Sequence, residues 1–265
     1  MFYQEEIKAA LAAMGAPQDG VVLMHCSWRS VGEVEGGCQG FLDALVDYFT
    51  AKGGLFCVPT HTWDNLGTDR ITLDLCKAES NLGYLTVLAA GDPRAVRSEN
   101  PTHSMAVYGD PARAAAFVAG EELVDTPIHP DSCYGKLYRM GGKILLCGVG
   151  QERNTYLHTA EELAGIPNRM LSEITPVTVR KKSGEVVHKG LRLFNEEGVG
   201  DVSLRFPKYE TAFRYHRAIT DGFLGNAPTQ LCDARIQKQV VELIYTRGGD
   251  QMRSEAQIPP AYYCS

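Results

Sequence analysis

A histidine followed three and four positions later by carboxylates has the makings of a proton acceptor. The stretch NTYLHTAEELAG at 154–165 supplies one, His158 with Glu161 and Glu162. If a helix begins at Asn154 or Thr155, either of which can cap it, His158 and Glu161 share a face at i and i+3, with Glu162 in reach at i+4. A carboxylate beside an imidazole fixes its tautomer and stabilises the protonated form, raising its pKa. A zinc helix needs a different pattern: a metalloprotease carries HExxH, whereas Thr159 follows His158 and no histidine stands four residues on. The same spacing also suits a polar face on a solvated helix, and spacing leaves both readings open.

Other stretches carry chemistry-bearing residues at loop positions. SWRSVGEVEGG at 27–37 offers the hydroxyls of Ser27 and Ser30, the charge of Arg29 and glycines that let a backbone approach an anion. It is neither GxGxxG nor a P-loop, and an ordinary turn between strand and helix is the alternative. His103 in NPTHSMAVYGD and His61 in PTHTWDN sit beside apolar runs, His61 just past a strand end, where open α/β sheets bind ligands. His25 reads as structural. A metal-assisted hydrolase using His61, His103 and His158 is a competing class, but no clustered ligand motif supports it and no metal is expected. Of the eight cysteines none falls in a CxxC pair, so free thiols are expected. Cys57 and Cys147 belong to buried strands, and Cys26 and Cys133 to loops.

The elements that must position these residues follow from periodicity. Residues 3–14 have helical spacing, ended by Gly15-Ala16-Pro17. VVLMHC at 21–26 and LFCVPT at 55–60 read as buried strands flanking a helix with Phe41, Leu42, Leu45 and Phe49 on one face. That order is a βαβ crossover with parallel pairing. The long connection 61–100 is of the kind that lines a site. SMAVYG reads as a strand, PARAAAFVAG as a helix opened by proline, and KILLCGVG at 143–150 as a strand feeding the His158 segment. ITPVTVR and VVHKGLRLF flank a Ser-Gly turn as a hairpin. The remainder reads as helical apart from a turn at GFLGNAPTQL.

The 265 residues are 44% apolar and 22% charged, the composition of a folded domain. A net charge of −6 argues against a nucleic-acid-binding surface and suits a cationic or neutral small substrate. MFYQEEIKAALAAMG carries acidic residues where a secretory signal is basic. No apolar run approaches the ~18 residues of a membrane span. A cytoplasmic protein without a membrane or nucleic-acid partner is expected, folded as a single domain over 1–265, with no linker to divide it.

Four blocks in order, HCSWRSVGEVEGG (25–37), GGLFCVPTHTW (53–63), RSENPTHSMAVYGDPA (97–112) and GGKILLCGVGQERNTYLHTAEE (141–162), resemble the aminoglycoside 3-N-acetyltransferase family, including members not tied to resistance. The resemblance implies an α/β fold with a central mixed sheet flanked by helices, and acetyl-coenzyme A (acetyl-CoA) as donor. It assigns the loop Ser27, Trp28, Arg29, Ser30, Val31 and Gly32 to the coenzyme's pyrophosphate and pantetheine, with His103 and Ser104 lining the same tunnel. His158 becomes the general base, Glu161 its orienting carboxylate, and Glu162 a solvated bystander. It also implies direct transfer to an amine of an aminoglycoside or related small molecule, by a monomer or homodimer. A polycationic acceptor needs carboxylates around it, for which Asp64 and Glu196, or Glu197, are candidates. Trp28 stands where leucine is frequent and Ser132-Cys133-Tyr134 where Ser-Pro is frequent, so the tunnel's shape is this chain's own. A coenzyme A-binding protein without catalysis is the remaining alternative.

Overall fold

The computed structural model describes residues 1–197 and 200–264. Helix α1 (Gln4–Ala13) is followed by β1 (Val21–Cys26), the four-residue α2 (Trp28–Val31), α3 (Gly37–Thr50) and β2 (Leu55–Pro59). β1 and β2 pair in parallel with Val21 opposite Leu55, the expected crossover. Alternate residues of a strand face opposite sides of the sheet. Val21 and Leu23 enter one core with Leu137, Tyr156 and Val241, while Val22 and Met24 enter another with Phe41 and Leu45. A strand buried on both faces is continuously apolar in sequence, which is why VVLMHC reads so clearly.

The connection after β2 holds β3 (Leu73–Asp74), α4 (Tyr84–Gly91) and β4 (Val96–Arg97). Then come β5 (Met105–Tyr108), α5 (Pro111–Val118), α6 (Cys133–Met140), β6 (Lys143–Cys147) and α7 (Tyr156–Leu163). The hairpin β7 (Thr175–Arg180) and β8 (Val186–Leu191) forms as expected and, with β3, makes a separate three-stranded sheet. The chain ends with α8 (Glu210–Tyr215), β9 (Ile219–Leu224), β10 (Ala227–Asp233) and α9 (Ala234–Gly248). The main sheet has seven strands in the order β4-β5-β2-β1-β6-β10-β9, with β2, β1 and β6 parallel at its centre.

Two expectations fail here. The stretch read as a turn between helices is a full antiparallel hairpin, β9 with β10. Gly225 turns it at φ +58°, and a Cβ there would lie 2.3 Å from the Val31 carbonyl oxygen. Cys133 and Cys26 are not loop residues. Cys133 opens α6, whose N-cap Ser132 accepts from the Gly135 amide, and Cys26 closes β1 opposite Cys147. All eight cysteines are free thiols. Among the described residues no helix is long and apolar enough to cross a membrane.

Candidate active site

The parallel strands β2, β1 and β6 end along one edge of the sheet, and a cavity of about 820 Å3 opens beside it. β1 and the turn after it contribute His25, Cys26 and Ser27, the segment after β2 contributes His61 and Trp63, and α7 contributes His158. The chain beyond β8 closes the opposite wall. Its backbone pairs with 169–171 through Leu171 N to Leu193 O and Asn195 N to Arg169 O, both 2.9 Å, which sets Phe194 against the cavity.

The His158 ring packs against Phe194 (centroids 4.4 Å apart) and, edge to face, against Phe206 (4.8 Å). Its Nδ1 is buried and has no hydrogen-bond partner among the described residues. Burial drives its pKa down to about 4; the Asp201 charge opposes the shift and the Arg169 charge adds to it. His158 is therefore a neutral imidazole at pH 7.

Its expected partner is engaged elsewhere. Glu161 accepts from Arg169 Nε at 2.6 Å and Nη2 at 3.2 Å, and from the Tyr209 hydroxyl at 2.9 Å. Arg169 in turn donates to Asp250 at 2.8 and 2.9 Å. A forked guanidinium makes stronger, charge-assisted bonds to a carboxylate than a neutral imidazole can, so the i, i+3 pairing is not made. Glu162 also departs from its expected place in solvent. One carboxylate oxygen is buried without a partner among the described residues, and burial raises its pKa to about 7, against the pull of Arg192.

His61 and His103 stand 4.2 Å apart between ring centroids. His61 Nε2 is bonded to the Tyr134 hydroxyl at 2.7 Å and His103 Nδ1 to Thr102 Oγ1 at 2.8 Å. Burial lowers both pKa values, that of His103 to about 3. Phe194 packs against His103 as well as His158. No group of three His, Cys, Asp or Glu placed to share an ion is found among the described residues. The three histidines of the metal-hydrolase alternative are not assembled for it.

In the loop after β1, Ser27 N donates to Cys147 O at 2.9 Å and Ser30 Oγ to Ser27 Oγ at 2.9 Å. Gly148 lies against this pair at φ +66°, and a Cβ there would come within 2.6 Å of Ser30 Cβ. Gly148→Ala is expected to lose about 1–3 kcal/mol of stability through overpacking and an unfavourable φ. Urea unfolding measures it, and an unchanged midpoint would show that the close approach is not needed.

Residues 23–244 match the family model described as Aminoglycoside 3-N-acetyltransferase. The chain belongs to that family. It is 32% identical over 250 residues to aminoglycoside N(3)-acetyltransferase VII of Streptomyces paromomycinus, covering 85% of each chain. It is 31% identical over 218 residues to aminoglycoside N(3)-acetyltransferase IX of Micromonospora chalcea, covering 76% of this chain and 75% of the other. The fold is shared with AAC-IIIb in its binary structure with CoASH, at a TM-score of 0.77 and 24% identity, over 92% of this chain and 97% of that one.

In this acyltransferase the other expected residues fall unevenly around the cavity. Ser27, His103, His158 and Glu196 line it. Trp28 packs on Phe41 at 5.5 Å and the Val31 side chain is wholly buried in the core, because the turn of α2 directs them toward α3. Arg29 is exposed, Ser30 reaches Ser27, and Gly32 lies against Asn226. Ser104 is not at the wall. Its hydroxyl donates to Thr60 O at 2.8 Å and accepts from Arg97 Nε at 3.3 Å, a buried clasp between β2 and β4. Asp64 borders a separate, shallower depression with Arg70 and Glu79, which touches the main cavity only through Asn81. Glu197 is not at the cavity wall, whereas Asp201 is. Sequence reasoning passed over Phe194, Phe206, Arg169 and Tyr209. The stretches LRLF and RFPKY, on either side of the acidic loop, are the signal that could have drawn attention to Phe194, Phe206 and Tyr209; Arg169 carries no such local signal.

Proposed function

We propose that this acyltransferase moves an acetyl group from acetyl-CoA to an amine of an aminoglycoside or related small molecule, with His158 taking the proton of the attacking nitrogen. The observation that carries the reading is a neutral imidazole at the wall of a large cavity, with Asp201 the carboxylate whose charge it feels. An ammonium acceptor cannot attack until it has lost a proton. A base that is uncharged at neutral pH is ready to receive one. The amine nitrogen then bonds to the thioester carbonyl carbon, the C–S bond breaks, the departing thiolate recovers the first proton from the imidazolium, and the nitrogen's second proton is released to solvent as the neutral amide forms. Glu161 acts at one remove, by holding Arg169 in the cavity wall.

Exposed Arg29 and the Ser27–Ser30 hydroxyl pair suit an anionic coenzyme whose acyl end enters the cavity past Ser27. Glu196 and Asp201, both at the wall, suit the cationic amines of an acceptor. The working unit in this reading is the chain 1–265 as one acetyltransferase domain, in the cytoplasm, as a monomer or homodimer.

A thiol-release assay with acetyl-CoA against aminoglycosides, amino sugars and short peptides tests the reading. Free coenzyme A is expected only when an amine is supplied. Calorimetric binding of acetyl-CoA with no turnover across the whole panel would instead mark a coenzyme-binding protein without catalysis.

A further inference from the structure

We propose that Arg97 is a positioning residue for the acceptor: it clips the strap 77–82 onto the segment after β2, and so holds Trp63 and Asn81 where the body of the amine rests. The inference rests on the reading of the cavity as an acetyl-transfer site with an amine at His158. Arg97 stands on the edge strand β4 and is 5% exposed. Its side chain reaches to the end of β2, two strands further in. Nε donates to Thr60 Oγ1 at 3.1 Å and Ser104 Oγ at 3.3 Å, Nη1 to Lys77 O at 3.1 Å, and Nη2 to Thr60 O at 2.9 Å and Glu79 O at 2.8 Å. None of these partners is an acid. Burial lowers its pKa only to about 10, so the group is charged at pH 7. A charge enclosed without an acid bonded to it is costly, and a plain apolar side chain could fill the same space. What the guanidinium alone supplies is a rigid fork able to hold two separate segments at once.

One of those segments is the end of β2, which runs on into His61 and Trp63. The other is the strap between β3 and α4, whose residues Asn81 and Leu82 line the cavity. Past the clip the two are tied twice more. Asn81 N donates to His61 O at 2.8 Å, and Asp64 N donates to Asn81 Oδ1 at 3.2 Å, which steadies the turn Trp63–Asn65. Trp63 lines the cavity with 37% of its surface exposed. Its indole begins a row of rings that ends at the proposed base: Trp63 to His103 is 5.6 Å between centroids, His103 to Phe194 5.4 Å, and Phe194 to His158 4.4 Å. An acceptor whose nitrogen meets His158 can bury its carbon surface along this row, so the placement of Trp63 governs how well the acceptor is held. The strap's hydrogen bonds to other segments run to His61, Asp64, Arg70 and Arg97, and among the described residues none reaches the turn after β1, where the coenzyme is proposed to bind. The clip therefore serves the acceptor and not the donor.

Steady-state kinetics of Arg97→Ala and Arg97→Lys, the second keeping the charge without the fork, read the role directly. Each is expected to raise the KM for the amine by roughly fivefold to tenfold, the scale of one lost hydrogen bond, while kcat and the KM for acetyl-CoA stay near the parent values. Added guanidinium ion, below denaturing concentration, should return the amine KM of Arg97→Ala toward the parent and leave Arg97→Lys unchanged. 19F spectra of the enzyme labelled with 5-fluorotryptophan need no turnover. The chain has two tryptophans, told apart by Trp28→Phe, and the Trp63 signal alone is expected to move in Arg97→Lys. An unmoved Trp63 signal, or a KM for acetyl-CoA that rises as far as that for the amine, overturns the proposal. If the Arg97 variants do not fold, Asn81→Ala carries the same test, since it removes the tie to Asp64 N and leaves Arg97 in place: the amine KM rises and the Trp63 signal moves, or the proposal falls. A parent enzyme that releases coenzyme A with no amine defeats the reading of the cavity, whereas normal parent turnover with an unchanged amine KM in the variants defeats the role of Arg97 alone.

Discussion

His158→Ala is expected to lower kcat by about 10²- to 10⁴-fold, the usual contribution of a general base, while acetyl-CoA binding measured by calorimetry stays close to the parent value. The two readouts separate because the coenzyme's proposed contacts lie on the turn after β1 and His158 lies on a different element, α7. Turnover at the parent level would remove His158 from the chemistry. The variant leaves Phe194, Phe206 and the Arg169 cluster in place, so the wall keeps its shape and lost turnover reports the lost proton acceptor. The pH dependence sharpens the argument. With its pKa pushed down to about 4 by burial, His158 in the free enzyme is deprotonated throughout the range above pH 5. The rise of kcat/KM with pH in that range should therefore follow the ionisation of the acceptor amine and move when an amine of different pKa is supplied. A limb that stays near pH 6.5 for every amine would mean that His158 titrates as an ordinary exposed histidine.

The central strands and α3 were legible because burial on both faces, or on one helical stripe, leaves an unbroken signature in a few adjacent residues. The β9–β10 hairpin was not. Gly222, Gly225 and Pro228 interrupt its alternation, and half-exposed outer strands show less apolar character than central ones. The same contrast governs the site. His158 was found from local spacing, and it does line the cavity. Its surroundings come from far along the chain: Phe194 follows a hairpin, Tyr209 lies 48 residues beyond Glu161, and Asp250 lies 81 beyond Arg169. Helical spacing predicts which side chains are neighbours, and it correctly placed Glu161 one turn from His158. It carries no information about a stronger partner arriving from elsewhere in the sequence, and Arg169 is such a partner. Asp64 misled for the converse reason, since a long loop beside a site has two sides and the residue types do not say which one faces the cavity.

Arg169→Met should be the most destabilising single change near the site, costing about 3–5 kcal/mol in urea unfolding at pH 7. The guanidinium is 6% exposed, between a Glu161 side chain with no exposure and an Asp250 side chain at 11%. Removing it leaves two carboxylates enclosed together with no cation between them. Burial already pushes the Glu161 pKa up, and the Arg169 and Tyr209 bonds hold it down. Burial already prevails in the parent, and without Arg169 it is opposed less, so the folded-state pKa of Glu161 rises further above its unfolded value near 4.5. Below that unfolded value the group is protonated in both states and costs nothing; as pH rises through it the unfolded chain releases a proton that the folded variant retains, and stability falls. The deficit of Arg169→Met relative to the parent should therefore shrink as pH is lowered from 7 toward 4.5. Combining it with Glu161→Gln should recover much of the loss at pH 7, because a neutral amide can still meet the Tyr209 hydroxyl. A deficit that stays constant with pH, or a double variant no more stable than Arg169→Met, would place the cost in lost packing of the arginine side chain and not in the stranded charge.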